Sequence, residues 1–326
     1  ETDTLGFVLI MAVLATLAAL ALRQASHYAL FYKALGATYA VVVLAQVGFI
    51  IAAKSGAPVS AVTNLVGSFS DLGFVAGLGI VMSLLAMRFL SLSQKVKIAL
   101  WVAIAAGLAL VVLANAVLVW VLVGLVSLGL FIEAIMRRRS AGSDADLEGV
   151  STMSADEDSA DAGGEARSLG APLVTLLVSL FFLIGGATIG NSIAASLGIN
   201  VIDVRPSWQS TFDVGSHTYA SSPLFGSGPS TFGEQWLKYK DRALNDTVFW
   251  NVDFASGIGS IPTSFITTGI VGVLAWLVFI GFFLYSGVRA LLFRLPQDTF
   301  MRFVSLASFT GAAYVLVALF FAAPGV

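Results

Sequence analysis

The amino-acid sequence predicts an all-α integral membrane protein with about eight transmembrane helices and one large polar loop outside the membrane. Of the 326 residues, 58% are hydrophobic and 11% are charged, whereas a soluble domain carries about 25% charged residues. The apolar residues also form separate runs of roughly 20 residues, which is the length that a helix needs to cross a bilayer. The chain contains no cysteine and only two histidines, so disulfide bonds are excluded and no metal site is expected.

Eight segments have the length and apolarity of membrane spans. The fourth and fifth come from one long apolar run, which we divide at Asn115 because a polar residue favours a turn there. In chain order the predicted spans are 5–22, 35–53, 72–90, 98–114, 117–136, 173–189, 264–284 and 303–321.

The basic residues predict the orientation of these spans. Twelve of the 17 lysines and arginines fall on one side of the membrane, and four of the other five lie in the long loop, residues 190–260. Because basic residues concentrate in short cytoplasmic loops, the first side is predicted to be cytoplasmic. The long loop, between the sixth and seventh spans, and both chain ends are then extracytoplasmic. The absence of an initiator Met leads us to expect a piece of a longer protein, with helices missing from one or both ends.

The spans and loops divide the chain into five parts. Residues 140–170 contain eight acidic residues and few large apolar ones, so we expect a disordered cytoplasmic linker. Glu133 and Arg137, just before it, have the spacing of an ion pair at a helix end. The predicted parts are a five-helix segment (1–139), the acidic linker (140–170), a sixth helix (171–189), the extracytoplasmic loop (190–260) and two C-terminal helices (261–326).

The loop contains a predicted amphipathic helix. Thr231 and Glu234 have the spacing of a capping box, which predicts a helix from residue 232 to about residue 242. Its aromatic residues Phe232, Trp236 and Tyr239 share one face. One interpretation is a helix that lies on the membrane with these rings at the interface.

A Gly-rich turn precedes this helix, Gly226-Ser-Gly228-Pro-Ser-Thr-Phe-Gly233. Backbone N–H groups at Gly226 and Gly228, just before a helix N-terminus, are a potential anion site. The turn fits neither a P-loop nor a dinucleotide-binding fingerprint, so nucleotide binding is not predicted. We also expect no nucleic-acid partner.

Four cations of the loop are predicted to lie just outside the bilayer. The planar fork of an arginine suits phosphate oxygens, and a lipid-linked diphosphate presents its charge at this depth. Attraction to anionic lipid headgroups is the alternative. The four residues are Arg205, Lys238, Lys240 and Arg242.

A dense run of amide, carboxylate and aromatic residues follows, from Leu244 through Trp250 to Phe254. Amides and carboxylates bond sugar hydroxyls and aromatic rings stack on sugar faces, so this run favours glycan recognition. Asp246 and Asp253 are possible general bases for a hydroxyl acceptor, and are equally consistent with turn formation.

These motifs together resemble the O-antigen ligase and polymerase family of bacterial membrane glycosyltransferases, which have the GT-C type of fold. The resemblance extends over about residues 72–284, and its specific part is the polar loop. Four motifs carry it: Arg205-x-x-Trp208, Ser222-Pro-Leu-Phe-Gly-Ser-Gly-Pro-Ser-Thr-Phe232, Asn245, and Thr268-Gly-Ile-Val-Gly-Val-Leu-Ala-Trp276.

The resemblance implies transfer of a glycan from undecaprenyl diphosphate to a hydroxyl acceptor on a lipid, glycan or protein. It implies a location in the bacterial cytoplasmic membrane, contact with membrane lipids, and no metal or other cofactor. Arg205 falls on the family's diphosphate-binding arginine and Asn245 on the asparagine of its His-Asn pair. Leu244 occupies the position of the histidine, which is thought to activate the acceptor.

The resulting hypothesis assigns a role to each group of loop residues. Arginines bind and neutralise the diphosphate leaving group, and a carboxylate or imidazole accepts the proton of the attacking hydroxyl. The predicted catalytic residues are Arg205, Asp246 and His217. The predicted substrate-binding residues are Arg242, Lys238, Asn245, Trp208, Trp236, Trp250, Gly226 and Gly228.

Two other functions remain open at this point. A transporter of lipid-linked glycan predicts ionisable or helix-breaking residues at the bilayer midplane, where this sequence offers Gln46 and several glycines. An inactive assembly scaffold is favoured by the replacement of the family histidine.

Overall fold

Every regular element in the described part of the chain is a helix, which confirms the predicted all-α class. The computed structural model describes residues 5–147, 158–199, 205–241 and 251–323. In chain order the helices are α1 (Leu5–Ala21), α2 (Ala25–Lys54), α3 (Phe69–Phe89), α4 (Gln94–Ala114), α5 (Val117–Leu147), α6 (Asp158–Phe181) with a π-helical turn (Phe182–Gly186), α7 (Ala187–Ser196), α8 (Trp208–Ser221), α9 (Phe232–Tyr239), α10 (Ser260–Phe293) and α11 (Thr299–Phe321).

The helices are those of a multi-pass membrane protein. Among the described residues, six helices are long and apolar enough to cross a bilayer, namely α2, α3, α4, the Val117–Arg137 part of α5, α10 and α11. The sequence predicts about eight, and the difference lies in two segments. The predicted first span forms a helix of 17 residues, α1. The predicted sixth span bends by 90° between Gly170–Gly186 and Thr188–Ser196, and it counts as a seventh span only if the bent pair is one element.

Helix extends into both ends of the segment 140–170 that the sequence analysis assigns to a disordered linker. Helix α5 continues to Leu147 and α6 begins at Asp158, while residues 148–157 lie outside the described ranges. Helix propagation explains this difference, because an established helix adds each further residue at little cost.

The chain divides into two compact units. The first comprises residues 1–33, 202–295 and 312–326, and the second comprises residues 34–201 and 296–311. Residues 202–260 of the polar loop belong to the first unit, and most of the predicted spans belong to the second.

The second unit is built around α3, which is its most buried helix. Leu72 and Ile80 of α3 are fully buried. Gly79 of α3 and Gly107 of α4 leave room for the ring of Tyr39 from α2, whose hydroxyl donates a hydrogen bond to the Ala103 carbonyl at 3.1 Å. Small residues thus let these helices pack closely, as is usual within membranes.

Polar contacts fix the ends of helices in the second unit. The predicted Glu133–Arg137 ion pair is confirmed, and Arg88 of α3 adds a second ion pair to Glu133 at 2.8 Å. At the C-terminal end of α4, Asn115 adopts a left-handed conformation with φ of 48°. The turn predicted at this residue is therefore confirmed as the end of α4.

Candidate functional site

The part of the polar loop that contains α8, the Gly-rich turn and α9 folds onto the start of α10. Helix α8 begins at an N-cap, since the Ser207 hydroxyl accepts a hydrogen bond from the Ser210 amide at 3.0 Å. Val214 of α8, Phe232 and Trp236 of α9 and Ile266 of α10 form a buried cluster. The loop therefore has a small hydrophobic core of its own within the first unit.

The aromatic face of the amphipathic helix α9 is buried in this core. Phe232 is fully buried and Trp236 is 2% exposed, and Tyr239 and Phe254 pack against them. The aromatic face of α9 thus contacts protein, which corrects the interpretation of this face as a membrane-surface element. Because the Trp236 ring is buried in this core, it stabilises the packing of α9 and presents no open surface to a glycan.

The predicted capping box at the start of α9 is not formed. Thr231 makes no side-chain cap, and its hydroxyl instead lies 2.7 Å from the Ser227 hydroxyl and 2.7 Å from the Gly228 carbonyl. The Thr231 hydroxyl thus bonds to groups of the preceding turn, and it is not available to cap the helix. Helix α9 ends at Tyr239 rather than at about residue 242.

Helix α10 is broken at Gly269, where φ is 65° and ψ is −159°. A break in a helix leaves unpaired carbonyls before it and unpaired amides after it. Here the Gly-rich turn pairs with the carbonyls before the break: Ser227 N–H donates to the Ile266 carbonyl at 3.3 Å, and Gly228 N–H to the Thr267 carbonyl at 2.9 Å.

Carbonyl groups at the start of the Gly-rich turn accept hydrogen bonds from the amides after the break. Ile270 N–H donates to the Pro223 carbonyl at 3.0 Å and Val271 N–H donates to the Leu224 carbonyl at 3.1 Å. The turn and the broken helix are therefore joined by four backbone hydrogen bonds, two in each direction. We call this arrangement the backbone interlock.

Side chains satisfy the next carbonyls before the break. The Tyr219 hydroxyl of α8 donates to the Phe265 carbonyl at 2.7 Å. Burial raises the pKa of the Tyr219 phenol above its usual value, so the neutral, donating form is favoured. The Thr268 hydroxyl donates to the Ser264 carbonyl, so all four carbonyls from Ser264 to Thr267 have partners.

The interlock removes the anion site that the sequence analysis places at the turn. The amides of Ser227 and Gly228 bond to α10, and Gly226 N–H bonds to the Ser222 carbonyl at 3.1 Å. A backbone N–H that is already paired within the protein offers little to an incoming phosphate. Gly226 and Gly228 therefore stabilise the turn and its contact with α10, and their amides do not form an anion site.

Gly226 and Gly269 are required where the two segments cross. Both have positive φ, at 63° and 65°. A Cβ on Gly226 would lie 2.7 Å from the Gly269 nitrogen, and a Cβ on Gly269 would lie 2.6 Å from the Leu224 carbonyl oxygen. Only residues without a side chain permit this approach.

Arg205 lies at the C-terminal end of a membrane helix. Its guanidinium donates a hydrogen bond to the Phe321 carbonyl in the last turn of α11, where a positive charge is favourable. The Trp208 ring packs edge-on against the Phe321 ring, with 5.6 Å between centroids. Arg205 and Trp208 belong to one sequence motif, and both contact Phe321 at the end of α11.

His217 and Lys238 both contact the ring of Tyr239. The exposed His217 imidazole stacks on the Tyr239 ring, with centroids 5.0 Å apart and planes 11° from parallel. The Lys238 ammonium lies 4.9 Å from the centroid of the same ring, a cation–π distance. The sequence predicts Tyr239 on the aromatic face of α9 but gives it no role in the site, because an amphipathic pattern does not show which residue of α8 faces it.

The predicted site residues therefore form two groups in the described part of the loop. Arg205 and Trp208 lie at the beginning of α8, and His217 with Lys238 lies near its end. At 1.5 Å per residue, Trp208 and His217 are separated by about 14 Å along the helix. Four further predicted residues, Arg242, Asn245, Asp246 and Trp250, lie outside the described residues.

A metal centre is not formed within the described ranges, where no group of three or more His, Cys, Asp or Glu side chains is placed to hold an ion. Comparison of the chain with protein-family models, with curated proteins and with solved structures finds no match.

Proposed function

We propose that this protein transfers a glycan from undecaprenyl diphosphate to a hydroxyl acceptor at the outer face of the bacterial cytoplasmic membrane. The observation that carries the proposal is the backbone interlock. The two Gly-containing motifs that carry the family resemblance lie more than 30 residues apart, yet they cross. Two backbone hydrogen bonds join them directly, and two more join the first motif to Ile266 and Thr267, just before the second. In the proposed function this contact holds the Gly-rich turn of the loop against α10, which is a membrane helix.

The position of Arg205 also supports the proposal. The guanidinium lies at the end of α11, and the end of a spanning helix is at the depth of lipid headgroups. A lipid-linked diphosphate carries its charge at the same depth. In the proposed reaction the guanidinium neutralises this diphosphate as it leaves.

The proposed chemistry is a single displacement at the anomeric carbon. The acceptor oxygen forms a bond to that carbon, the bond between the carbon and the diphosphate oxygen breaks, and the electron pair leaves with the diphosphate. The acceptor proton passes to a base, for which His217 and Asp246 are the proposed residues. Trp208, Arg242, Asn245 and Trp250 are proposed to contact the substrate, and Lys238 adds positive charge beside His217.

In this proposal the fold is of the GT-C type and has eight spans. Counting α1 and the bent pair α6–α7 as spans, together with the six helices described above, gives this number. The large loop, residues 190–260, is then extracytoplasmic.

Binding of undecaprenyl diphosphate, measured by native mass spectrometry of the purified protein, tests the role of Arg205. We expect Arg205→Ala to lose most of the bound lipid, because the guanidinium supplies charge and paired donors. Arg205→Lys keeps the charge at the end of α11 but not the fork, and should bind weakly. Arg289→Ala is the matched control, since Arg289 is also an arginine near the end of a membrane helix, with its guanidinium bonded to the Tyr285 hydroxyl at 3.0 Å.

Two results would count against the proposal. Equal binding by wild type and Arg205→Ala would mean that this cation contacts only headgroups. Binding that depends on Arg205 without transfer to any acceptor would favour the inactive scaffold. Thermal unfolding of each variant shows whether a loss of binding reflects a loss of fold, since Arg205 also holds the end of α11.

A further inference from the structure

Helix α8 has an exposed aromatic edge that differs from the rest of its surface. Val214 and Thr218 are buried on one face, and Asp213 is exposed on the opposite side of the helix. Between these faces lie Trp208 and Phe212, which are 36% and 61% exposed and stack on each other at 5.7 Å. Two large stacked rings at i and i+4 are unusual on a surface that faces water.

This edge continues into the lipid-facing surface of a membrane helix. The Trp208 ring packs against Phe321 at the end of α11, and Phe321 is itself 41% exposed. Helix α11 is long and apolar enough to span a bilayer. The aromatic edge of α8 therefore begins where an apolar membrane surface ends.

A second exposed apolar patch lies on the turn that follows α8. Leu224 and Phe225 are 57% and 69% exposed, and on α10 Ile270 and Val271 are 43% and 48% exposed. Hydrogen bonds from Ile270 and Val271 to Pro223 and Leu224 hold the turn directly against this part of α10. The turn is thus continuous with the exposed surface of a second spanning helix.

We infer that the aromatic edge of α8 (Trp208 and Phe212) and the turn residues Leu224 and Phe225 are inserted into the boundary between headgroups and acyl chains of the phospholipid bilayer. Lipid is the occupant we infer because both patches continue the exposed surfaces of α10 and α11, which are long and apolar enough to span a bilayer. Aromatic rings favour this boundary, and Arg205 at the same end of α11 adds a cation suited to phospholipid headgroups. The inference assigns the membrane contact of the loop to α8 and the turn, in place of the buried face of α9.

This contact goes beyond the proposed reaction, although Trp208 and Arg205 have a place in both. It fixes the depth of α8 relative to the bilayer, and with it the depth of every residue that α8 carries. A loop held in this way presents the polar side of α8, including Asp213 and His217, to water.

Because the chain has no cysteine, single-cysteine variants can be labelled at one position each. We propose Phe212→Cys and Phe225→Cys with an environment-sensitive fluorophore, in phosphatidylcholine nanodiscs, with Asp213→Cys as the matched control one residue away on the polar side of α8. Labels at 212 and 225 should emit at shorter wavelength than the label at 213 and should be quenched by lipids with a nitroxide near the headgroup. The label at 213 should be insensitive to these lipids and be quenched by aqueous iodide.

Each alternative result overturns the inference. Quenching by iodide at 212 and 225 as strong as at 213 would place both patches in water. Shielding from both iodide and nitroxide lipids would mean that protein covers them, such as a second copy of the chain. Leu224→Cys serves as a second turn variant if Phe225→Cys unfolds, and thermal unfolding of every labelled protein identifies such failures.

Discussion

At the scale of single residues, Gly226 and Gly269 decide whether the loop can join α10. Each has a positive φ, and each lies so close to the backbone of the other segment that a Cβ would overlap it. The conformation of Gly269, with φ of 65° and ψ of −159°, belongs to a region that only glycine populates readily. The crossing is therefore a property of residue type, and not of side-chain contacts.

Replacement of Gly269 by alanine should destabilise the protein. The backbone conformation alone costs an L-residue about 1–3 kcal/mol, and the overlap with the Leu224 carbonyl adds to this. Thermal unfolding in detergent measures the effect against Gly281→Ala, a change in the same helix at a glycine that has nothing within 4 Å of an added Cβ. Equal unfolding temperatures for the two variants would contradict the interlock.

At the scale of elements, the break in α10 costs few hydrogen bonds. The carbonyls of residues 264–267 and the amides of residues 270 and 271 are paired by Tyr219 of α8, by the turn and by a threonine hydroxyl. A buried unpaired peptide group costs about 1–3 kcal/mol, so an unsupported break would be unfavourable. Helix α10 and the turn before α9 therefore stabilise each other.

A second element-scale contact is the ion cluster that joins α3 to α5. Glu133→Ala should lower the free energy of unfolding by about 3 kcal/mol, because the Arg88 side chain is 13% exposed and loses its carboxylate. Arg137→Ala should cost about 0–1 kcal/mol, since Arg137 is 54% exposed on the same carboxylate. Chemical denaturation in mild detergent compares the two. A larger effect at Arg137 would mean that burial does not govern this cluster.

At the scale of the whole molecule, the distribution of basic residues predicts which side of the membrane each loop occupies. Lys238 of α9 and Lys95 of α4 are both exposed, and the prediction places them on opposite sides. A membrane-impermeant maleimide should therefore label Lys238→Cys in intact spheroplasts, and Lys95→Cys only after the membrane is opened.

Both variants start from a chain without cysteine, so the unmodified protein provides the unlabelled background. Labelling of Lys95→Cys alone in intact spheroplasts would invert the predicted orientation. The proposed glycan transfer at the outer face would then be excluded, while the fold described above would be unaffected.

Several elements of the structure were predictable from local sequence patterns. The end of α4 at Asn115 follows from a polar residue within an apolar run, and the Glu133–Arg137 pair follows from helical spacing. The start of α9 at Phe232 was also predicted, but the capping box was wrong, because the Thr231 hydroxyl bonds to the preceding turn. A local pattern cannot show that a nearby turn competes for the same hydroxyl.

The sequence by itself determined the membrane class and the helical composition, because apolarity and length decide what crosses a bilayer. It also singled out the two Gly-containing motifs, but not their contact. Only the tertiary structure decided that the turn's amides bond to α10 instead of an anion, that the aromatic face of α9 is buried, and that Arg205 meets the end of α11. These outcomes depend on which distant groups come within hydrogen-bonding distance, and chain order does not specify that.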